Sequence, residues 1–195
     1  MCAARGAKWQ VMPSGGPLGL RAGYSDSALD DVWGDNFHRR IKKVTGHTFE
    51  WGITAEDLPD VENRVVIDAN LTDSDGIPSP KIIYKSSENT QKLMDFNLAR
   101  AVEAHQASGA AEIHVTPLMR DCGWHIMGTA RMGRDSSTSV INEWNQSHDV
   151  PNLYVFDASA FVTCGSANPT ATITALSLRA AEHLIAERRN QEIPV

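Results

Sequence analysis

A histidine and an asparagine are the residues of this sequence best suited to chemistry. His125 is flanked by apolar residues, and Gly128 follows where the backbone can turn. Because imidazole gains and loses a proton near neutral pH, such a histidine can act as a general base. A buried histidine with satisfied hydrogen bonds is the structural alternative. Asn168 precedes Pro169, and its side chain can cap a helix or hydrogen-bond a substrate oxygen.

The segment around Asn168 predicts a helix N-terminus beside a polar loop. Pro151–Phe156 has the composition of a short buried strand, and Asp157-Ala158-Ser159 follows it as a polar loop. Asn168 and Pro169 then suit the start of a helix. Its packed face is predicted to carry Ile173, Leu176, Ala180 and Leu184. A helix N-terminus favours an anion or a developing negative charge, so this junction is a candidate site.

Two other combinations of reactive residues fit known sites less well. Cys122 and His125, taken with His114, lack the spacing of a metal site, so we predict no metal. Ser159 with Asp157 and His125 has the residue types of a hydrolase triad. The Gly-x-Ser-x-Gly turn that exposes such a serine is absent.

Several short motifs together resemble the C-terminal signature of the glucose–methanol–choline (GMC) family of flavin oxidoreductases. Their order and spacing over roughly residues 50–187 carry the resemblance. The matching pieces are His125 with Gly128-Thr129 and Arg131-Met132-Gly133, then Asn152-Leu153 through Asp157-Ala158-Ser159, then Asn168-Pro169-Thr170 and Ala180-Ala181. Weaker matches lie at 56–59, 63–65 and 75–78.

The resemblance implies an FAD-dependent oxidoreductase that acts on CH–OH groups of alcohols, polyols, sugars or sugar acids. By the same resemblance, His125 takes the hydroxyl proton while hydride passes to flavin N5. Asn168 is implied to orient the substrate oxygen, as the second member of a His–Asn pair. The residues implied to contact the cofactor are Asp157, Ala158, Asn168, Pro169 and Thr170.

The resemblance also implies an N-terminal Rossmann-type FAD-binding domain that this chain lacks. Such a domain begins with a strand and a Gly-x-Gly-x-x-Gly turn. The glycine-rich stretch 14–19 follows no predicted strand and contains Pro17, so we interpret it as a loop. We therefore expect the C-terminal part of a longer or split enzyme. The alternative is a non-catalytic fragment, or an assembly subunit that completes another chain's flavin site.

The elements that must position these residues predict an α+β fold. Short turns between strands favour a mostly antiparallel sheet, with helices on one face as a substrate-binding layer. A strand–loop–helix then follows, which would complete a flavin-binding domain. We expect a loop over 1–30, helices over 31–45 and 86–109, strands over 48–55, 64–68, 81–84 and 111–118, and a tight turn at 73–76.

These elements divide the chain into three predicted parts. A loop-rich entry with a short helix covers 1–45, and the substrate-binding layer covers 46–120. Residues 121–195 carry the catalytic histidine loop and the strand–loop–helix that contacts flavin.

Composition and charge exclude several classes of protein. With 42% apolar residues the chain can bury a core, and its net charge of −6 argues against nucleic-acid binding. No stretch is long enough to span a membrane. Three cysteines predict no disulfide framework. The first residues lack the apolar region of a signal peptide, so a cytoplasmic location is the default expectation.

Overall fold

The computed structural model of the chain describes residues 6–13, 34–118, 123 and 125–190. It has two compact units, one from residues 1–56 and 88–123 and one from 57–87 and 124–195. The elements in chain order are β1 Ala7–Pro13, α1 Asp35–Val44, β2 Phe49–Ala55, β3 Arg64–Thr72, β4 Pro78–Ile83, α2 Glu88–Ala107, a 3₁₀ turn Ala158–Ala160, and α3 Thr170–Asn190.

The α+β class predicted from the sequence is confirmed, and the strands pair antiparallel. β1 pairs with β2, and β3 pairs with β4. Within the described residues the strands therefore form two separate two-stranded sheets, where the sequence suggested one wider sheet.

The first unit is built on β1, β2 and α2. Trp9 of β1 stands opposite Ile53 of β2, and its indole Nε1 donates to Oδ1 of Asn97 on α2 at 2.8 Å. Leu93 of α2 is 2% exposed and forms part of the core. Because burying an unpaired indole N–H costs free energy, the Trp9–Asn97 bond stabilises the contact between β1 and α2.

The predicted loop over residues 1–30 is wrong at 7–13, which form β1. Trp9 and Val11 alternate with polar Lys8 and Gln10, and β2 supplies the hydrogen-bonding partner. A strand this short depends on its partner, which sequence periodicity does not show. Gly6 lies just before β1, outside any helix or strand. Residues 1–5 and 14–30 of the predicted loop lie outside the described residues.

The short helix predicted over 31–45 is confirmed as α1, and its Val44 is buried at 7% exposure. Arg40 and Lys43 form salt bridges with Glu112, which follows α2. The hydrogen bond from Arg40 and then that from Lys43 hold the Glu112 pKa well below its usual value. The predicted strand 111–118 does not form. None of the described strands pairs with this segment, and Glu112 instead connects it to α1 through its salt bridges.

The second unit begins with the β3–β4 hairpin. The Asp73 carboxylate accepts from the backbone N–H groups of Asp75 and Ile77, both at 2.9 Å, which confirms the predicted tight turn. β3 begins at Arg64 as predicted but extends to Thr72, and β4 begins at Pro78, three residues earlier than predicted. The long helix predicted over 86–109 is confirmed in the first unit as α2.

The strand predicted over Pro151–Phe156 is wrong. In the described structure this segment makes one isolated bridge, between Gln146 and Tyr154. Leu153 is 49% exposed and Phe156 is 41% exposed, so the segment is not buried either. An apolar run becomes a buried strand only when neighbouring strands cover it, and none of the described strands pairs with it.

No helix in the described part of the chain is both long enough and apolar enough to cross a membrane.

Candidate active site

The segment after His125 is hydrogen-bonded along the 3₁₀ turn that follows Asp157. The backbone N–H of Gly128 donates to the carbonyl of Ala158 at 3.2 Å. Those of Ala130 and Met132 donate to Ser159 and Ala160, both at 2.9 Å. These three bonds, called the 128–132 ladder below, hold the histidine segment beside the predicted flavin-contact segment. The two predicted groups lie far apart in sequence, and tertiary structure brings them together.

His125 itself is exposed, which contradicts the alternative of a buried, satisfied histidine. It lies three residues before the ladder, so its Cα is within about 11 Å of the Gly128 Cα at full extension. An exposed imidazole on an anchored segment can receive a proton from a bound molecule. Its role as a base stays a prediction.

Asp157 contributes through its side chain and Ala158 through its backbone carbonyl. The Asp157 carboxylate caps the 3₁₀ turn, because it accepts from the backbone N–H of Ser159 at 2.8 Å and from its hydroxyl. The Ala158 carbonyl accepts from Gly128 and from Phe161. The side chain of Asp157 therefore shapes the segment. The hydroxyl of Ser159 donates to this carboxylate, as expected of local turn chemistry.

Asn168, Pro169 and Thr170 lie at the start of α3. The first helical hydrogen bond runs from the N–H of Ile173 to the carbonyl of Pro169 at 2.9 Å. Pro169 thus occupies the capping position that the sequence assigned to Asn168, and the helix begins one residue later than predicted. The first turn of α3 contains no acidic residue. Its leading N–H groups have no helical acceptor, as at any helix start.

Gly128 occupies a position where only glycine fits without strain. Its φ is +84°, and an added Cβ would lie 3.1 Å from the carbonyl oxygen of Phe161. The ladder begins at this residue, so the strain caused by a side chain at Gly128 would disturb the contact between the His125 segment and the Asp157 segment.

We expect Gly128→Ala to lower the free energy of unfolding by about 1–3 kcal/mol, the usual cost of this backbone region for other residues. Urea denaturation measures it. The control is Gly165→Ala in the same unit, where an added Cβ meets nothing within 4 Å. Its effect should stay within about 0.5 kcal/mol. Equal stability of the two variants would contradict the strain argument.

Sequence reasoning missed the turn Asn142–Gln146, which joins the ladder to α3. The Asn142 Oδ1 accepts from the N–H groups of Trp144 and Gln146. The Trp144 ring stacks on His183 of α3 at 3.9 Å, and the Arg179 guanidinium lies 4.9 Å from the same ring. The spacing Asn142-x-x-Asn145 is a turn signal that could have indicated this feature.

Ile141 links this turn back to the ladder. It is fully buried, and its carbonyl accepts from the N–H of Gly133 at 2.8 Å. Nearby, the hydroxyl and N–H of Ser137 bind the Asp135 carboxylate and lower its pKa, with a smaller effect from His148. Arg131 donates to the Thr138 carbonyl at 2.7 Å, which gives this arginine a structural contact.

Among the described residues, no group of three or more His, Cys, Asp or Glu side chains could hold a metal ion.

The comparison with known families defines the class of protein. A family model for the C-terminal domain of the GMC oxidoreductases matches residues 59–177. The chain belongs to the GMC oxidoreductase family. The resemblance inferred from its motifs is thereby confirmed.

Three relatives illustrate the range of the family. The chain is 38% identical to 2-methyl-1,2-propanediol dehydrogenase of Mycolicibacterium austroafricanum, over 78% of the chain and 28% of that protein. It is 33% identical to the fructose dehydrogenase large subunit of Gluconobacter japonicus, over 85% and 30%. It is 45% identical to the gluconate 2-dehydrogenase flavoprotein of Pantoea cypripedii, over 77% and 26%. The chain thus spans less than a third of each relative.

Proposed function

We propose that this chain supplies the C-terminal part of the active site of an FAD-dependent oxidoreductase. Its substrates would be small alcohols, polyols, sugars or sugar acids, whose CH–OH group becomes a carbonyl. The 128–132 ladder carries the proposal, because it holds the segment of His125 beside the segment of Asp157 and Ala158. The names of the three relatives, which denote a diol, a sugar and a sugar acid dehydrogenase, support this substrate class.

The residues of this chain fit one end of the cofactor. Asp157, Ala158, Asn168, Pro169 and Thr170 would contact the flavin half of FAD. The N–H groups of the first turn of α3 have no acceptor within the helix and suit a site of negative charge, and that turn contains no acidic side chain. Bound FAD supplies the hydride acceptor for the substrate carbon.

In this proposal, two side chains of the protein act on the hydroxyl proton and the oxygen of the substrate. The substrate hydroxyl gives its proton to an imidazole nitrogen of His125, and the C–O bond becomes a carbonyl as hydride leaves the carbon. The Asn168 amide donates a hydrogen bond to the substrate oxygen, where negative charge develops. The N-terminus of α3 would stabilise the negative charge that reduction places on a bound flavin.

The pyrophosphate and adenosine half of FAD requires a second domain in this proposal. The described residues contain no glycine-rich turn between a strand and a helix, the feature that binds a pyrophosphate. An open groove of about 450 Å³ also lies beside α3, lined by Phe156, Ile173, Thr174, Ser177, Leu178 and Ala181. Leu178 is 61% exposed there. A flavin-binding domain would cover this apolar surface.

We expect residues 1–195, produced alone, to retain no FAD. The reason is that the contacts described above reach only the flavin half of the cofactor. The measurement is flavin absorbance in the monomer peak after gel filtration. Mixing with the flavin-binding part of 2-methyl-1,2-propanediol dehydrogenase should restore yellow colour and the reduction of a dye by 2-methyl-1,2-propanediol, fructose or gluconate.

Two outcomes would count against this proposal. Stoichiometric FAD bound to the chain alone would show a complete cofactor site within these 195 residues. A yellow complex that reduces no dye with any of the three substrates would favour the assembly-subunit alternative. The flavin-binding part assayed without this chain is the control.

A further inference from the structure

A buried and strained asparagine lies at the centre of the Asn142–Gln146 turn. Asn145 is 1% exposed, and its φ of +63° is the only positive value at a non-glycine residue in the described part of the chain. Asparagine tolerates this region better than most residues, but the conformation still needs support from its surroundings. Within the turn, the N–H of Asn145 donates to the Asn142 carbonyl at 3.1 Å, and further support comes from Val155.

Asn145 holds Val155 by two hydrogen bonds. The N–H of Val155 donates to the Asn145 carbonyl at 2.9 Å, and the Asn145 side-chain Nδ2 donates to the Val155 carbonyl at 2.6 Å. The side-chain amide thus adds one bond to a short backbone pairing, in which the N–H of Ser147 also donates to the Leu153 carbonyl at 2.8 Å. The Oδ1 of the same amide is buried and has no partner in the described structure. A buried amide with one unsatisfied oxygen is retained at a cost, which its remaining contacts must offset.

Val155 leads directly to the candidate active site. Two residues later, Asp157 caps the 3₁₀ turn, whose carbonyl groups accept from Gly128, Ala130 and Met132. The placement of those carbonyls therefore depends on where Val155 is held.

We propose that Asn145 is a positioning residue for the active site. Its side-chain N–H, presented at a positive φ, anchors Val155 so that the 128–132 ladder can form. The ladder in turn fixes the segment of His125. The functional part of this inference depends on the proposed function, whereas the structural part depends only on hydrogen bonds within this chain.

Two substitutions separate the side-chain donor from the backbone conformation. Asn145→Gly keeps the positive φ and removes the donor. Asn145→Asp keeps the shape but places a carboxylate oxygen opposite the Val155 carbonyl, so two acceptors face each other. Asn152→Asp is the matched control, since it makes the same chemical change at an exposed position of the same segment.

The measurement is amide hydrogen exchange in the full 195-residue chain, corrected for intrinsic exchange rates. At pH 7.5, both Asn145 variants should speed exchange at Ala130 and Met132 by about tenfold or more, while the control stays within about twofold of the parent. Unchanged exchange at these two amides in both Asn145 variants would overturn the proposal.

Lower pH should rescue one variant only. Burial raises the pKa of a carboxyl group, so the folded state of Asn145→Asp favours the protonated form. Its stability is therefore greatest at acid pH and is lost as pH rises through the folded-state pKa. A protonated carboxyl can donate to the Val155 carbonyl again. All other titratable groups are common to both variants, so their difference reports residue 145.

At pH 5 the ladder amides of Asn145→Asp should return to within about threefold of the parent, and those of Asn145→Gly should not. Identical behaviour of the two variants at both pH values would show that the donor is not what matters, and would overturn the proposal. If the aspartate variant does not fold at pH 7.5, the glycine variant decides alone, because its ladder must then be unprotected at both pH values. These exchange rates are measured without flavin, so they test the structural part of the proposal independently of catalysis.

Discussion

Replacing His125 with alanine should lower alcohol oxidation by about 10²–10⁴-fold, the usual contribution of a positioned general base. The assay needs the active complex of this chain with a flavin-binding domain. The loss is expected in kcat, because removing the base slows proton transfer after the substrate is bound. FAD content should change little, since the proposed cofactor contacts lie in the segments 157–158 and 168–170.

Two controls separate proton transfer from structural damage. His38→Ala removes an exposed histidine of α1 in the other unit and should leave turnover unchanged. Added imidazole should restore part of the activity of His125→Ala, because a free base can enter the space left by the side chain. Activity of His125→Ala within threefold of the parent would exclude the histidine as the base.

Replacing Asn168 with aspartate should reduce turnover by about 10²-fold or more while thermal stability is retained. Losing one donor to a developing oxyanion has an effect of this size. Aspartate caps helices as well as asparagine does, and its charge suits a helix N-terminus. The same charge would oppose the negative charge that develops on the substrate oxygen. A catalytic role therefore predicts a loss of turnover, whereas a purely structural role at the helix start predicts no change.

The measurements are kcat in the flavin-containing complex and the melting temperature of the same sample. Asn152→Asp repeats the change at an exposed position and should alter neither quantity. Unchanged turnover in Asn168→Asp would leave this residue with a role in the helix start only. If the melting temperature fell so far that unfolding accounted for the lost turnover, Asn168 would also be assigned a structural role.

Local signals in the sequence were sufficient for the helices and one turn. The apolar spacing of Phe37, Ile41 and Val44 predicts α1, and the spacing from Met94 to Val102 predicts α2. Asp73 and Gly76 predict the turn between β3 and β4. A helix makes its hydrogen bonds within one segment, and this turn closes over a few residues. Residues close together in the sequence therefore determine both features.

The motifs around His125 and Asn168 also identified the family from the sequence alone, because family membership is carried by the order and spacing of residues. Sequence periodicity failed where a partner decides the structure. Residues 7–13 form β1 because β2 pairs with them. The segments 111–118 and 151–156 do not form strands, because none of the described strands pairs with either of them.

Only the tertiary structure placed the histidine segment beside the segment after Asp157. The three bonds of the 128–132 ladder join residues about thirty positions apart, and no local pattern encodes such a pairing. The tertiary structure likewise placed the buried amide of Asn145 against the carbonyl of Val155, ten positions along the chain. Sequence thus determined which residues this protein offers for chemistry, and long-range backbone hydrogen bonds decided which segments lie together.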